Sequence, residues 1–267
     1  MGTPAAVTVT DAEVDAFRVD GVVVLRAAVD PAALAREVDG ALARGFARPG
    51  AVNESDEAAI SFRYLPMMSE LTPRSVELFR RLAPVAERVL GTPVLPVRAK
   101  AVEYHGGSRW HRDSELALPS VGLACYLEPL TAGTGALQVR PGSHLAGGRD
   151  ADAAAGGPLA LDTEPGDVIV LDEHLLHASE GGRVRRQWRC DFVARPAGAG
   201  DEAVVRAYYA AMFSPEWDGG YDVDAFPTYG EHWRRVCPPG HDALLERVGA
   251  YAAATEEEAA SRRRRQE

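Results

Sequence analysis

Residues 92–196 contain a series of short apolar runs that are separated by glycine and proline turns. No helical pattern fills the gaps between the runs, so the strands they predict follow one another directly. The runs are Val94–Tyr104, Val121–Leu127, Ala136–Arg140, Leu159–Leu161, Val168–Leu171 and Trp188–Val193. Many short strands without intervening helices favour an antiparallel sandwich or barrel. We therefore predict a mainly β fold with flanking α-helices.

We predict that the chain forms a single domain over residues 1–267. Residues 1–91 are expected to form a mainly helical N-terminal layer, and residues 92–196 the barrel core. Residues 197–267 form a C-terminal extension with further helices. This extension ends in a charged tail, TEEEAASRRRRQE, which we expect to be solvated and frayed.

Local signals mark where the N-terminal helices begin. Thr10 and Glu13 have the spacing of a capping box. Asp30 and Thr72, each followed by proline, predict two further helix starts. Residues 48–71 show no clear period, and we expect a long loop there, which either forms a lid or pocket wall at an active site or packs against the barrel.

The composition limits the partners and the compartment. The chain has a net charge of -10, which disfavours binding to nucleic acid. It lacks a signal-peptide pattern and an apolar run long enough to cross a bilayer. Its three cysteines, Cys125, Cys190 and Cys237, form no CxxC motif, which argues against a disulfide framework. We predict a cytoplasmic monomer or homodimer with no nucleic-acid or membrane partner.

Histidines and a carboxylate occur where strands are predicted to end. His111 and Asp113 are two residues apart, and such residues in an extended chain face the same side. His177 follows a later strand. Two imidazoles and one carboxylate form the facial triad that binds non-haem Fe(II) and leaves three coordination positions open. His174 is the alternative to His177 as the second histidine.

Six segments resemble one known family. They are FRVDGVVVL at Phe17–Leu25, WHRD at Trp110–Asp113, YLEP at Tyr126–Pro129, GALQVRPGSH at Gly135–His144, PGDV at Pro165–Val168 and LHAS at Leu176–Ser179. Together they resemble the phytanoyl-CoA dioxygenase (PhyH-like) family, whose members are Fe(II)- and 2-oxoglutarate-dependent oxygenases. The resemblance implies a double-stranded β-helix, the jelly-roll or cupin-like barrel. It also implies that His111, Asp113 and His177 bind the iron, because Ala178 and Ser179 match the residues after the family's distal ligand.

In this family an arginine on the strand after the distal histidine pairs with the distal carboxylate of 2-oxoglutarate. A planar guanidinium suits such a contact because it can donate two hydrogen bonds at once. We expect Arg189 to fill this role, with Arg185 second and Arg186 third, because the loop after His177 is shorter than in the family. Lys100, the only lysine in the chain, is a further candidate for cofactor binding; otherwise it is a solvated strand residue.

The resemblance implies a dioxygenase that hydroxylates an unactivated C–H bond of a small molecule. O₂ and 2-oxoglutarate are consumed, and succinate and CO₂ are released. An arginine- and alanine-rich composition is typical of GC-rich bacteria, which favours a role in specialised metabolism. Two alternatives stay open: a divalent-metal hydrolase or isomerase on a cupin-like barrel, and a jelly-roll binding module with structural histidines.

Overall fold

The computed structural model describes residues 6–46, 53–55, 60–145, 157–182, 184–213, 220–237 and 240–266. The described strands are β1 Val22–Leu25, β2 Asn53–Ser55, β3 Ile60–Pro66, β4 Val94–His105, β5 Ser108–His111, β6 Ser120–Tyr126, β7 Thr134–Val139, β8 Leu159–Leu161, β9 Val168–Asp172, β10 His177–Gly181 and β11 Val184–Ala194. The helices are α1 Asp11–Asp20, α2 Pro31–Gly45, α3 Pro73–Leu90, α4 Ala199–Met212, α5 Glu231–Val236, α6 His241–Arg247 and α7 Ala250–Gln266.

The strands form two antiparallel sheets. The large sheet has seven strands in the order β1-β9-β6-β11-β4-β3-β2, and the small sheet has four in the order β5-β10-β7-β8. Consecutive strands β10 and β11 lie in different sheets, joined by a short turn at Gly181 and Gly182, both with positive φ. The prediction of a mainly antiparallel β fold with flanking helices is confirmed.

The N-terminal helices cover the outer face of the large sheet. Trp188 of β11 is fully buried, and its indole N–H donates to the Ser75 hydroxyl of α3 at 2.6 Å. Phe192, further along the same strand, packs on Phe79 of α3 with ring centroids 4.9 Å apart. Burial of such large side chains drives the sheet and the helical layer together.

Two of the three predicted helix caps form as expected. Thr10 and Glu13 make the capping box of α1, and Asp30 caps α2 through its side chain. Thr72 precedes α3 but makes no side-chain cap. Instead, the carboxylate of Glu37 in α2 accepts from the backbone N–H groups of the first turn of α3, at 2.9 and 2.7 Å. A tertiary contact therefore replaces the local cap.

The prediction of a long loop over residues 48–71 was wrong for the part that is described. β3 lies in this segment and extends the large sheet by pairing with β4; residues 47–52 and 56–59 lie outside the described residues. Both faces of β3 are covered, with Tyr64 against a cavity on one side and Leu65 in the core on the other. A strand covered on both faces lacks the alternation that identifies a half-exposed strand.

The C-terminal tail was also predicted wrongly. Residues up to Gln266 continue α7, and Glu257 in this helix has no exposed surface. Its carboxylate accepts from Arg98 of β4 and from the hydroxyl of Tyr64, both at 2.6 Å. The extension is thus fixed to the large sheet by a buried ion pair. No helix in the described part of the chain is long and apolar enough to cross a membrane.

Candidate metal centre

His111 and His177 lie side by side across a strand pair of the small sheet. His111 ends β5, His177 begins β10, and the two are register partners with ring centroids 4.3 Å apart. Asp113 follows β5, and its backbone N–H donates to the carbonyl of Glu173 at 2.9 Å. The three side chains offer ligand atoms that all lie within 4.8 Å of one another. The structure therefore brings these three predicted residues together.

The hydrogen bond at Nδ1 of each imidazole shows where the ring carries a proton. Nδ1 of His111 lies 2.8 Å from the carbonyl of Arg109, and Nδ1 of His177 lies 2.9 Å from the carbonyl of Leu175. A carbonyl only accepts, so each Nδ1 carries a proton, and in the neutral form of either ring the lone pair is then on Nε2. The Nε2 atoms lie 3.8 and 3.6 Å from Oδ1 of Asp113. Three electron-rich atoms that face one another repel, and a cation among them removes that repulsion.

The pKa values agree with this arrangement. Burial lowers the pKa of His177 to about 4, although the nearby carboxylate of Asp113 acts in the opposite direction. Burial would raise the pKa of Asp113, but Arg189 and the two imidazoles hold it well below its usual range. At neutral pH His177 is therefore neutral and Asp113 is charged, and neutral imidazole and carboxylate are the ligand forms that Fe(II) requires.

His174 lies outside this cluster. Its Nδ1 is 2.9 Å from the carboxylate of Asp172, and its Nε2 is 2.7 Å from the carbonyl of Leu116. The hydrogen bond that His174 donates to Asp172 raises the pKa of His174, with a smaller opposing effect of burial. Both ring nitrogens are occupied by protein acceptors, which leaves no lone pair for a metal.

Arg189 is surrounded by carboxylates of the protein itself. Its Nη2 lies 2.8 Å from Oδ2 of Asp113 and 3.2 Å from Oε1 of Glu173, and its Nε lies 2.6 Å from Oδ1 of Asp191. Lys100 on β4 lies next to it, with Nζ 3.2 Å from Oδ2 of Asp191. Burial lowers the pKa of Lys100, while Asp191 acts against this effect. Arg189 and Lys100, two of the predicted cofactor-binding cations, thus already have carboxylate partners.

Arg185 has a different environment, although it lies on the same face of β11. Its side chain is 3% exposed. Nη1 donates to the carbonyl of Gly135 at 2.7 Å and Nη2 to that of Gly106 at 2.8 Å, while the guanidinium lies over the ring of Tyr104. Among the described residues, no carboxylate forms an ion pair with Arg185. It is a buried cation held by neutral groups alone.

Arg186, the third predicted arginine, points away from the cavity. Its Nε lies 2.6 Å from the carboxylate of Glu128, and its Nη1 contacts Asp39 of α2. Both contacts lie on the helical side of the large sheet. The alternation of β11 therefore separates Arg186 from Arg185 and Arg189.

The cluster of His111, Asp113 and His177 opens into a cavity of 570 Å³, which is lined by residues of both sheets. One wall is aromatic: the rings of Phe62 and Tyr64 stack with centroids 5.9 Å apart, and Tyr104 lies 6.1 Å from Phe62. Met212, at the end of α4, also lines the cavity. The C-terminal extension therefore contributes directly to the binding space.

Glu173 and Tyr208 also lie at the site and were not predicted from the sequence. Glu173 has no exposed surface, and the hydroxyl of Tyr208 in α4 donates to its Oε2 at 2.7 Å. Burial raises the pKa of Glu173 to about 7, with further effects from neighbouring charges. An acidic residue directly after the buried strand β9 was a signal for Glu173. Tyr208 lies in a helix with no motif, so its contact could not be inferred.

Two antiparallel sheets that enclose a cluster of two histidines and a carboxylate define a metal-binding jelly roll. The chain belongs to the phytanoyl-CoA dioxygenase (PhyH) family, whose model matches residues 17–187. The family predicted from the sequence is thereby confirmed. A search of the curated proteins finds no match.

Several solved structures share the fold. AviO1 from Streptomyces viridochromogenes Tue57 is 26% identical with a TM-score of 0.53, and the match covers 72% of this chain and all of that one. EvdMO1 is 27% identical with a TM-score of 0.56, covering 70% of this chain and 50% of that one. The epimerase SnoN, solved in complex with Fe³⁺, α-ketoglutarate and nogalamycin RO, is 15% identical with a TM-score of 0.57, covering 72% and 88%.

Proposed function

We propose that this protein is an Fe(II)- and 2-oxoglutarate-dependent oxygenase that hydroxylates a C–H bond of a small molecule. Its membership of the PhyH family supports the class of chemistry. The observation that carries the proposal is the convergence of two Nε2 lone pairs on Oδ1 of Asp113, in a cavity that also holds a buried arginine without a carboxylate partner.

His111, Asp113 and His177 would hold the iron. Their donor set, two imidazoles and one carboxylate, is the one that non-haem Fe(II) oxygenases use. The hydrogen bonds from Nδ1 to backbone carbonyls orient both rings, as outer contacts of metal-binding histidines commonly do.

We assign the distal carboxylate of 2-oxoglutarate to Arg185, the second of the three arginines predicted from the sequence. A buried guanidinium without a carboxylate carries a desolvation cost that an anionic ligand offsets. Arg189 does not need such a ligand because Asp113, Glu173 and Asp191 already surround it. Ser179, which follows His177 on β10, also lines the cavity and can donate a hydrogen bond to the same anion.

When bound, iron and 2-oxoglutarate would supply the oxidising power. 2-Oxoglutarate is converted to succinate and CO₂, one oxygen atom of O₂ enters succinate, and the other becomes the hydroxyl of the product. The protein's own residues bind and orient these groups and exclude water. The neutral His177 and the charged Asp113 need not lose a proton before they bind the metal at neutral pH.

The cavity supports a small, ring-containing substrate. Its volume of 570 Å³ lies within the range of small-molecule sites. Phe62 and Tyr104 present aromatic surface on which a planar or saturated ring can stack. The arginine- and alanine-rich composition, typical of GC-rich bacteria, supports a role for such a substrate in bacterial specialised metabolism.

The test is an anaerobic titration of the Fe(II)-loaded protein with 2-oxoglutarate. We expect a visible charge-transfer band from iron chelated by the oxo acid, followed by succinate formation when O₂ is admitted. A divalent-metal hydrolase would show neither the band nor succinate, and a binding module would not retain iron. His177→Ala is the negative control, because it removes one ligand and leaves the cavity otherwise intact.

A further inference from the structure

The two oxygens of the Asp113 carboxylate have different surroundings. Oδ1 faces the Nε2 atoms of His111 and His177, at 3.8 and 3.6 Å. Oδ2 lies 2.8 Å from Nη2 of Arg189. A carboxylate free to rotate can offer either oxygen, or both, to a metal ion. Here a charged contact distinguishes them.

Arg189 cannot easily move away from Asp113. Its Nε and Nη2 lie near the carboxylates of Asp191 and Glu173, so it is held from two further directions. Glu173 also accepts the backbone N–H of Asp113 at 2.9 Å through its carbonyl. One residue therefore fixes both the backbone of Asp113 and the arginine that contacts its side chain.

The support continues into the C-terminal extension. The hydroxyl of Tyr208 in α4 donates to Oε2 of Glu173 at 2.7 Å, and Tyr208 is 1% exposed. The contacts thus run from Tyr208 through Glu173 and Arg189 to Asp113. Tyr208 lies outside residues 17–187, which the family model matches.

We propose that Arg189 is a positioning residue that holds Oδ2 of Asp113, so that Oδ1 alone binds the metal, and that Glu173 and Tyr208 hold Arg189 in place. The inference rests on the proposed function, because it assumes a metal at this cluster. It gives Arg189 a role other than binding the distal carboxylate of 2-oxoglutarate. It also makes α4 part of the support of the metal site.

A lysine in place of Arg189 separates geometry from charge. Arg189→Lys keeps one positive charge among the three carboxylates, but a single ammonium cannot reproduce the fork that contacts them together. Arg185→Lys is the matched control, since it makes the same change four residues earlier on the same face of β11. The two variants test metal binding and co-substrate binding separately.

Mn(II) is the probe for metal binding, titrated into the metal-free protein and followed by electron paramagnetic resonance. We expect Arg189→Lys to weaken Mn(II) binding about 10- to 100-fold, the usual effect of losing an outer contact of a metal ligand. The affinity of the Mn(II)-saturated protein for 2-oxoglutarate, measured by calorimetry, should not change. Arg185→Lys should weaken 2-oxoglutarate binding and leave Mn(II) binding unchanged.

Unchanged Mn(II) binding in Arg189→Lys would overturn the inference. If 2-oxoglutarate binding were weakened instead, Arg189 would be the residue that anchors 2-oxoglutarate. Failure of the wild-type protein to bind Mn(II) would instead remove the proposed function itself. If Arg189→Lys does not fold, a crystal structure of the wild-type protein with Mn(II) decides. We expect Oδ1 of Asp113 on the metal and Oδ2 on Arg189; two bound oxygens, or Arg189 turned away, would contradict the inference.

Discussion

The two sheets contribute opposite chemistry to the cavity. The small sheet places His111 and His177 there, two rings whose Nε2 lone pairs are available. The large sheet places Lys100, Arg185 and Arg189 there, all of them donors. Acceptors for a cation thus come from one side and donors for anions from the other.

The sheets also differ in how their side chains are held. Each of the two histidines is oriented by the backbone carbonyl two residues before it. A few residues therefore suffice to build the histidine half of the site. The cations of the large sheet depend on partners from distant elements, such as Glu173 for Arg189 and Glu257 of α7 for Arg98. Asp113 is the contact point, because it faces the imidazoles with one oxygen and Arg189 with the other. The ligand half is local, whereas the cationic half depends on the whole chain.

The largest effect should come from removing a ligand of the small sheet. His177→Ala should abolish measurable Fe(II) or Mn(II) binding. The protein supplies only three ligands to a six-coordinate metal, and the two that remain in the variant are too few to hold it. His174→Ala, three residues earlier, should leave metal binding largely intact, since both nitrogens of His174 are occupied by protein acceptors. Equilibrium dialysis with metal analysis measures both. Metal loss in His174→Ala alone would show that the cluster is not the binding site.

A second prediction tests the dependence of the large sheet on α7. Glu257→Gln leaves the charge of Arg98 buried without its partner, which typically costs about 3–5 kcal/mol of unfolding free energy. Urea denaturation measures the change. The control is Arg262→Ala in the same helix, where an exposed ion pair with Asp224 should contribute only about 0–1 kcal/mol. Equal effects of the two variants would refute the view that α7 anchors the sheet.

A third prediction concerns the donor side of the cavity. Arg185→Met should weaken 2-oxoglutarate binding by about 2–5 kcal/mol, on the order of thirtyfold or more, since it removes a buried, charge-assisted contact. Metal binding should persist, because Arg185 contacts none of the three proposed ligands. Calorimetric titration of Mn(II)-loaded protein supplies the measurement. An unaltered affinity would return the anchoring role to Arg189 or Lys100.

The local half of the site is also the half that the sequence predicts. The motifs around His111, Asp113 and His177 nominate the cluster through their resemblance to the PhyH family, and strand alternation adds that His111 and Asp113 can face the same side. The ranking of Arg189 above Arg185 used motif spacing, which does not show that Asp113 and Glu173 lie beside Arg189. Contacts between elements far apart in sequence are what distinguish the two arginines.

The same reason explains where the predictions of the fold were wrong. β3 was missed because its two faces pack against different distant elements, which hides the period of a strand. Glu257 lies in a run of charged residues that is solvated in most proteins, and the pairing with Arg98 that buries it spans 159 positions of the chain. In contrast, the capping box at Thr10 involves only neighbouring residues and was predicted correctly.

The smallest effect we expect is a pH dependence with opposite signs at two histidines that lie three residues apart. Burial lowers the pKa of His177 to about 4, so between about pH 6.5 and 4 the unfolded chain binds a proton that folded His177 does not. The metal-free protein should lose stability through His177 as the pH falls across this window. Asp172 raises the pKa of His174, so its contribution is fully present below about pH 6.5 and is lost as the pH rises through the higher folded value.

Unfolding free energies of metal-free protein, measured in urea from about pH 4.5 to 8, test both signs. His177→Gln should flatten the acid side of the curve relative to wild type, by at most about 1.4 kcal/mol per pH unit. His174→Gln should flatten the other side and leave the acid side steep. The same pH dependence in both variants would contradict the opposite pKa shifts of the two residues. His177 would then not differ from His174 as a proposed metal ligand differs from a structural histidine.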